Sequence, residues 1–425
     1  MTFNRPLQSL GLILGMSVGV TGLFAGELEQ RVDSNWQKLV LDEAFRAEGV
    51  AAADVNHDGK MDILVGDLWY KAPDWKTHEI RTPGKFVAGV GYSNSFAMWA
   101  FDVNSDGWDD LVHIGFPGAP CHWYENPQNK SGHWKEHMIW TSACNETPLF
   151  TDLVGNDKPE LIMGSQPEQQ MGYLPIPETK FATRKWDFHA VSTKGNPNEN
   201  GTFKYYHGLG TGDMNGDGRM DVIIAHGWWE QPAEPSPTET WKFHPMTCRE
   251  SKDGKPKVQK VANIFADDLD GDGDADLLMS SAHAYGVWWL ENMTPKEAGS
   301  EVASEFLYHL IDDSYSQTHA DAYVDLNGDG QKELVTGKRF YAHNGNDPGG
   351  KDPVGMYWYE IQKSDDGDAP QFIRHEIEAG RGTGVGTQFT IADVNNDGRP
   401  DIVLSNKKGV HVLVQSGDGK TTAKK

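Results

Sequence analysis

Short apolar runs recur along the chain, each four or five residues long and each closed by a small or polar residue: ILVG after Asp62, VIIAHG after Asp221, IVLSN after Asp401. Runs of that length between turn residues predict buried strands, not helices. A nine-residue polar segment leads directly into each run, as in DVNHDGKMD from Asp54 and DVNNDGRPD from Asp393. Two further signatures keep step with these segments. A strand with paired aromatics follows (LWYKAP, HWYENP, GWWEQP, VWWLEN, MYWYEI). A strand bearing an aromatic and, three positions later, a histidine comes after it, starting at Trp75, Trp134, Trp186, Trp241, Phe306 and Phe372. Each unit therefore reads as inner strand, polar loop, second strand, third strand with aromatics, and outer strand with histidine.

The units recur at roughly 50 to 70 residues, the spacing of propeller blades. The last ends at VHVLVQ without an outer strand, while WQKLVL at Trp36 is a strand without a unit. Joining the two predicts an all-β fold: a seven-bladed β-propeller closed by its N-terminal strand, one domain from about residue 27 to 417. Residues 418–425 are polar and predict a disordered tail. Ahead of the domain, Arg5 and the apolar stretch LGLILGMSVGVTGLFA predict a signal peptide over residues 1–25, cleaved after Ala25, and hence a secreted or periplasmic protein. An uncleaved anchor is the alternative, although the stretch is short for a span. Nothing later in the chain reads as a membrane span.

The polar loops place oxygen ligands at the first, third, fifth and ninth positions, with glycine at the sixth, which suits a hard cation such as Ca²⁺. The predicted ligand sets are Asp54, Asn56, Asp58 and Asp62; Asp102, Asn104, Asp106 and Asp110; Asp213, Asn215, Asp217 and Asp221; Asp268, Asp270, Asp272 and Asp276; Asp325, Asn327, Asp329 and Glu333; and Asp393, Asn395, Asp397 and Asp401. A seventh copy from Asp152 has Val154 at the third position and Asp157 in place of the glycine. The loops run into strands and not into the amphipathic helix an EF-hand requires. They predict about six structural Ca²⁺ sites, which an exported protein would meet in abundance.

Composition narrows the partners. A formal net charge of -24 over 425 residues argues against nucleic acid, whose phosphates need a basic face. Three cysteines, Cys121, Cys144 and Cys248, exclude a disulfide framework and leave only a pairing of Cys121 with Cys144 open.

Topology also predicts where chemistry gathers. If the polar loops cap one face of the ring, residues before each inner strand and after each second strand meet on the other. Six of the 16 histidines occupy the repeated outer-strand position and read as structural. Six of the other ten fall on the predicted active face: His113, His207, His226, His283, His319 and His343. Glu146, Gln317, Lys338, Arg339 and Lys407 join them, with Tyr341 beside them and Trp69, Trp228 and Tyr285 as flat faces for sugar rings. A concave centre with such a lining is the default ligand site. No nucleophile motif supports a triad. A glycosidase lacks the carboxylates, Glu146 being one of few on that face.

DVNNDGRPDIVLSN and its siblings resemble the FG-GAP or VCBS repeats of integrin-α-like calcium propellers, over nearly the whole of residues 27–417. The stretch SQTHA to GKRFYAHNGNDPG is similar to the propeller domain of the aldos-2-ulose dehydratases, and the likeness covers the propeller alone. It implies a lyase that removes water or an alkoxide from a keto sugar. In that scheme His319 or His283 is the base, His226 or His207 the acid, and Lys338 and Arg339 steady the enolate, with His343 near them. Alternatively, two or three of the histidines hold a catalytic Zn²⁺ or Mn²⁺. Trp69, His113, Trp228, Tyr285, Gln317 and Tyr341 would bind the carbohydrate. The competing expectation is a non-catalytic propeller that grips a glycan or a protein.

Overall fold

The computed structural model describes residues 28–249, 260–294, 303–363, 369–417 and 421–423. The predicted signal peptide lies outside the described residues. The fold is all-β: among the described residues helix is confined to single 3-10 turns such as Ala342–Gly345.

Small antiparallel sheets follow one another around a propeller-like ring. The first sheet comprises Ala51–Ala53, Asp62–Val65, Leu68–Lys71 and Lys76–Glu79, in order from the inside out. The second runs from Ala97–Phe101 to Lys135–Trp140, and the third from Leu149–Thr151 to His189–Ala190. Apolar clusters fill the gaps between successive sheets. Leu64, Met98 and Tyr124 join the first and second, Val112, Trp123 and Met163 the second and third, and Ile162, Tyr173 and Trp229 the third and the next. The core is thus a circle of inter-sheet layers, closed where Ile63, Val335 and Val403 meet.

The N-terminal strand Trp36–Asp42 pairs antiparallel with Gly409–Gln415 and completes the sheet of Thr390–Ala392 and Asp401–Asn406. Glu29–Asp33 pairs in parallel with the outer strand Gln371–Ile377 of the preceding sheet. Thr421–Ala423, within the segment read as a tail, pairs in turn with Glu29–Asp33.

The expected all-β, propeller-like ring of small sheets is present, but its sheets do not divide into seven separate blades. Among the described residues there are five separate sheets, together with a closed barrel of eight strands. The barrel joins two four-stranded antiparallel units along both edges. Leu209–Gly212 pairs in parallel with Val261–Asp267 on the inside, and Lys242–Arg249 with Ser304–Ser316 on the outside. Two causes are visible. The outer strands have 8 and 13 residues and overrun their own partners, so their free edges satisfy each other. On the inside, Gly210 leaves room for its neighbour, because a Cβ there would lie 2.2 Å from the Ile264 carbonyl oxygen.

The outer-strand histidines do pack as a repeat. His78, His137, His189, His244, His309 and His375 sit directly opposite Trp69, Trp123, Tyr173, Trp228, Trp289 and Trp358 in strand register. Five of the six pairs stack, from 4.5 Å at His137 down to 3.6 Å at His375. In four units the imidazole also meets a glutamate two residues after the aromatic, at 2.6–3.1 Å: Glu125, Glu230, Glu291 and Glu360.

All three cysteines are free, so the open pairing of Cys121 with Cys144 does not occur. Burial pushes the Cys121 thiol up to about 12.

Candidate functional site

Three histidines from three successive units converge on one point. His207 precedes the inner strand Leu209–Gly212, His283 follows Asp276–Ser281, and His319 precedes Asp321–Val324. Backbone hydrogen bonds join the His283 and His319 segments: Thr318 N–H donates to Ser281 O at 3.0 Å, Gln317 N–H to Ala284 O at 2.9 Å, and Arg339 N–H to Gln317 O at 2.9 Å, while Glu146 N–H donates to Tyr206 O, beside His207, at 3.2 Å. The imidazoles are buried and fixed. His207 Nε2 lies 3.0 Å from His319 Nε2 and 3.0 Å from His283 Nε2.

Carboxylates flank the cluster on two sides. Glu146 Oε2 is 3.1 Å from His319 Nε2 and 3.6 Å from His207 Nε2, with Arg339 Nη1 at 3.9 Å. Asp347 Oδ2 lies 3.0 Å from His283 Nδ1 and accepts from Gln317 Nε2 at 3.1 Å; both its oxygens lie 3.0 Å from His343 Nδ1. His343, about half exposed, stacks on His283 at 4.6 Å. Burial, with Arg339 nearby, holds His319 well below the usual imidazole range, and burial lowers His283 to about 4 against the pull of Asp347. Burial alone would raise Glu146, but His207 and His319 outweigh it and hold the carboxyl well below its usual range.

These protonation states leave a conflict at the centre. With its Nδ1–H donated to Asp347, neutral His283 presents a bare Nε2 lone pair. His319 Nε2 faces both the Glu146 carboxylate and His207 Nε2, and its Nδ1 is buried without a partner. One proton on His207 Nε2 can serve only one of its two 3.0 Å contacts. A cation among the three nitrogens would satisfy all of them at once. The separations are slightly tighter than the ~3.4 Å between nitrogens that Zn–N bonds of 2.0–2.1 Å imply for a tetrahedral ion.

His207 and His283 open onto a cavity of about 690 Å³, which Glu146, His226, Lys260 and His343 also line, while His319 lies behind them, fully buried. Glu48, at the fully buried base of the ring, meets Arg339 at 3.5 Å and Lys407 at 3.7 Å.

The remaining expected residues lie elsewhere. Lys338 is fully buried and donates to Gln317 Oε1 at 2.8 Å and Ser316 Oγ at 3.3 Å, so it anchors the Gln317 side chain and does not face the cavity. Arg339 is engaged between Glu48 and Glu146. Trp228 is buried under His244, and Trp69 stacks on His78 in a separate cleft, so neither offers a face to a sugar at this site. His113 is buried between Ser95 Oγ at 2.8 Å and Arg81 Nη2 at 3.2 Å. Tyr285 is exposed, and its hydroxyl donates to Asp352 at 2.8 Å. Tyr341 has a left-handed backbone, as do His343 and Asn344, in the turn over the cluster. Asp347 and Glu48 are the two residues that sequence reasoning misses.

The polar loops share one geometry. At Asp54, the carboxylate accepts from the amides of Asp58 at 3.1 Å and Gly59 at 2.8 Å. The ninth-position acid is buried and accepts amides from both sides, as Asp276 does from Leu269 at 3.0 Å and Asn292 at 2.8 Å. The fourth and sixth positions are left-handed in every copy, including the divergent one, where Asp157 takes φ +64°. Asp268, Asp270 and Asp276 bring carboxylate oxygens within 4.8 Å of one another. In three loops the fifth-position carboxylate meets a cationic side chain: Lys71 on Asp58, Arg219 on Asp217 and Arg399 on Asp397.

Comparison with known families matches the FG-GAP-like repeat to residues 268–336 and 325–404. The chain carries FG-GAP-like repeats. No curated protein matches it in sequence. Among solved structures, it is similar to an Agrocybe aegerita lectin described as recognising non-reducing terminal N-acetylglucosamine, at 14% identity and a TM-score of 0.44, covering 92% of this chain and 93% of the lectin. It is similar to the exotype rhamnogalacturonan lyase YesX at 10% identity and 0.43, covering 90% and 76%. It is also similar to the V. cholerae biofilm matrix protein Bap1 at 10% and 0.39, covering 92% and 91%. Among the described residues no helix is long and apolar enough to cross a membrane.

Proposed function

We propose that this chain is an exported, calcium-stabilised propeller whose central cavity binds a divalent transition metal, Zn²⁺ or Mn²⁺, and acts on carbohydrate as a carbon–oxygen lyase. The eight-stranded barrel counts in this reading as two fused blades, giving seven in all. The observation that carries the proposal is the convergence of the His207, His283 and His319 Nε2 atoms, with Glu146 beside them and an open cavity in front. The six intact loops hold Ca²⁺, and their acid-rich, doubly turned backbones fit a hard oxygen-seeking ion.

In a keto sugar, a proton beside the carbonyl is acidic and an oxygen substituent one carbon further can leave. With their Nε2 lone pairs turned to a bound ion, the three histidines would hold the centre and take no part in proton transfer. Glu146, at the cavity wall and outside the three-nitrogen set, takes the proton as the base, a weak one because His207 and His319 hold its carboxyl low. The freed electron pair forms the carbon–carbon double bond as the carbon–oxygen bond breaks. His226, across the cavity and outside the cluster, gives its proton to the departing oxygen. The ion, when bound, supplies positive charge for the carbonyl oxygen. Lys338 and Arg339 act at one remove, by fixing Gln317 and Glu146.

The test is proton NMR of the mature protein with a panel of keto sugars and 3-keto glycosides, in calcium, with and without Zn²⁺ or Mn²⁺. An enone or a released alcohol that depends on the transition metal supports the proposal. Glycan binding without any turnover would instead assign a binding propeller.

A further inference from the structure

Besides the histidines, the cavity is lined by a group of aromatic rings. Phe116, Phe203 and Tyr205 line it together with Tyr92 and Phe96. Phe203 is 46% exposed and Tyr205 38%, unusual for rings in a chain whose other aromatics are mostly packed between sheets. They stand edge-on to one another, Phe116 to Tyr205 at 5.7 Å and Phe203 to Tyr205 at 6.4 Å, both at 72°. A concave corner results.

The presentation is built in. Tyr205 has φ +74°, a left-handed backbone that a bulky side chain adopts only at a cost. The turn is held by Phe203 N–H to Pro197 O at 2.9 Å, Tyr206 N–H to Phe203 O at 2.8 Å and Tyr205 N–H to Cys144 O at 3.0 Å. Lys204 Nζ lies over both Phe116 and Tyr205, at 5.5 and 5.1 Å, and braces the wall from outside. One aromatic ring suffices to stack on the C–H face of a sugar, whereas three rings set edge-on in one corner present more apolar face than a single sugar ring covers. Asn198 and Glu199, on the turn that carries Phe203, line the same cavity and leave polar partners at hand for the sugar.

We infer that the ligand is a glycoside whose sugar lies against the histidines and Glu146 and whose aglycone is a flat aromatic group seated on Phe116, Phe203 and Tyr205. The inference rests on the reading that this cavity takes carbohydrate. It adds the class of aglycone. An aryl group enclosed by three rings gains both burial and edge-to-face contacts, and an aryl aglycone leaves as a phenol once its oxygen receives the proton.

Unreactive glycosides separate this claim from catalysis. Paired 4-nitrophenyl and methyl β-glycosides of glucose, galactose and xylose have no keto group, so calorimetry reads their binding to the full mature chain without turnover. The 4-nitrophenyl member of at least one pair binds about tenfold tighter than the methyl member. That ratio falls below about threefold in Phe203→Ala and in Tyr205→Asn, the latter chosen because asparagine accepts the left-handed backbone. Unfolding midpoints report whether each variant is folded. Equal affinities in all three pairs, no binding in any, or a ratio that survives both substitutions would overturn the inference. Keto-sugar turnover is scored separately: enone formation without an aryl preference sinks this inference alone, and an aryl preference without turnover sinks the lyase alone.

Discussion

His207 Nε2 and His319 Nε2 lie 3.0 Å apart, although 112 residues separate them in the chain. Neither can move away cheaply, because each sits at the foot of an inner strand in a segment pinned by backbone hydrogen bonds to its neighbours. Two buried imidazole nitrogens at that distance need a proton or a cation between them, and the third, from His283, leaves too few protons for all. The fold holds the three in place; a cation among them would relieve the conflict.

Asp347 is a positioning residue for this centre. It fixes His283 with Nδ1 turned away from the cluster, so Asp347→Asn should lower Zn²⁺ affinity about 10- to 100-fold without changing the stoichiometry. Competition with a metal indicator dye measures it, and an unchanged affinity would remove Asp347 from the account. His343→Ala, which leaves the His283 contact intact, should have the smaller effect.

The stacked outer-strand pairs are a stability device, not part of the site. His375 is buried, stacks on Trp358 at 3.6 Å and meets Glu360 at 3.1 Å. His375→Ala should destabilise the fold by about 1–3 kcal/mol in urea unfolding and leave Zn²⁺ binding unaltered. A loss of metal with no loss of stability would reverse that assignment.

Chelation should lower the melting temperature, because ion affinity for the folded loops adds to folding free energy. Asp217→Ala and Asp329→Ala should melt lower in calcium and show a smaller further drop with chelator. A melting curve that chelator leaves unmoved counts against Ca²⁺ in the loops.

His411 gives a pH dependence remote from every proposed ligand. Burial, aided by Lys38 and Lys408, lowers it to about 4 from 6.5. The folded state therefore keeps it neutral where the unfolded chain protonates it. Its contribution is present above pH 6.5 and is lost as pH falls towards 4, by at most about 3 kcal/mol. Denaturant unfolding from pH 7 to 4 should show a shallower decline in His411→Gln than in the native chain. Parallel declines would contradict the assignment.

Much of this was readable in advance, for physical reasons that also mark the limit. Strand runs, loop spacing and the Trp36 closure are periodic signals, and periodicity is what a single sequence displays best. The gathering of His207, His283, His319 and Glu146 follows from strand direction alone. Trp69 and Trp228 were misplaced because alternation puts the third-strand aromatic opposite the outer-strand histidine, a cross-strand register visible only once the strands are paired. Asp347 lies in the long excursion between Gly337 and Met356, which has no counterpart in the other units and so no pattern to read. The parallel seams of the barrel depend on how far the strands at Lys242 and Ser304 extend, and no repeat encodes their ends.

The most direct measurement is anomalous diffraction from crystals of the mature protein, saturated with calcium and then soaked in Zn²⁺. The account predicts one zinc peak per chain within bonding distance of the Nε2 atoms of His207, His283 and His319, and its loss in His319→Gln. No peak among the three histidines, or one that persists in that variant, would contradict it.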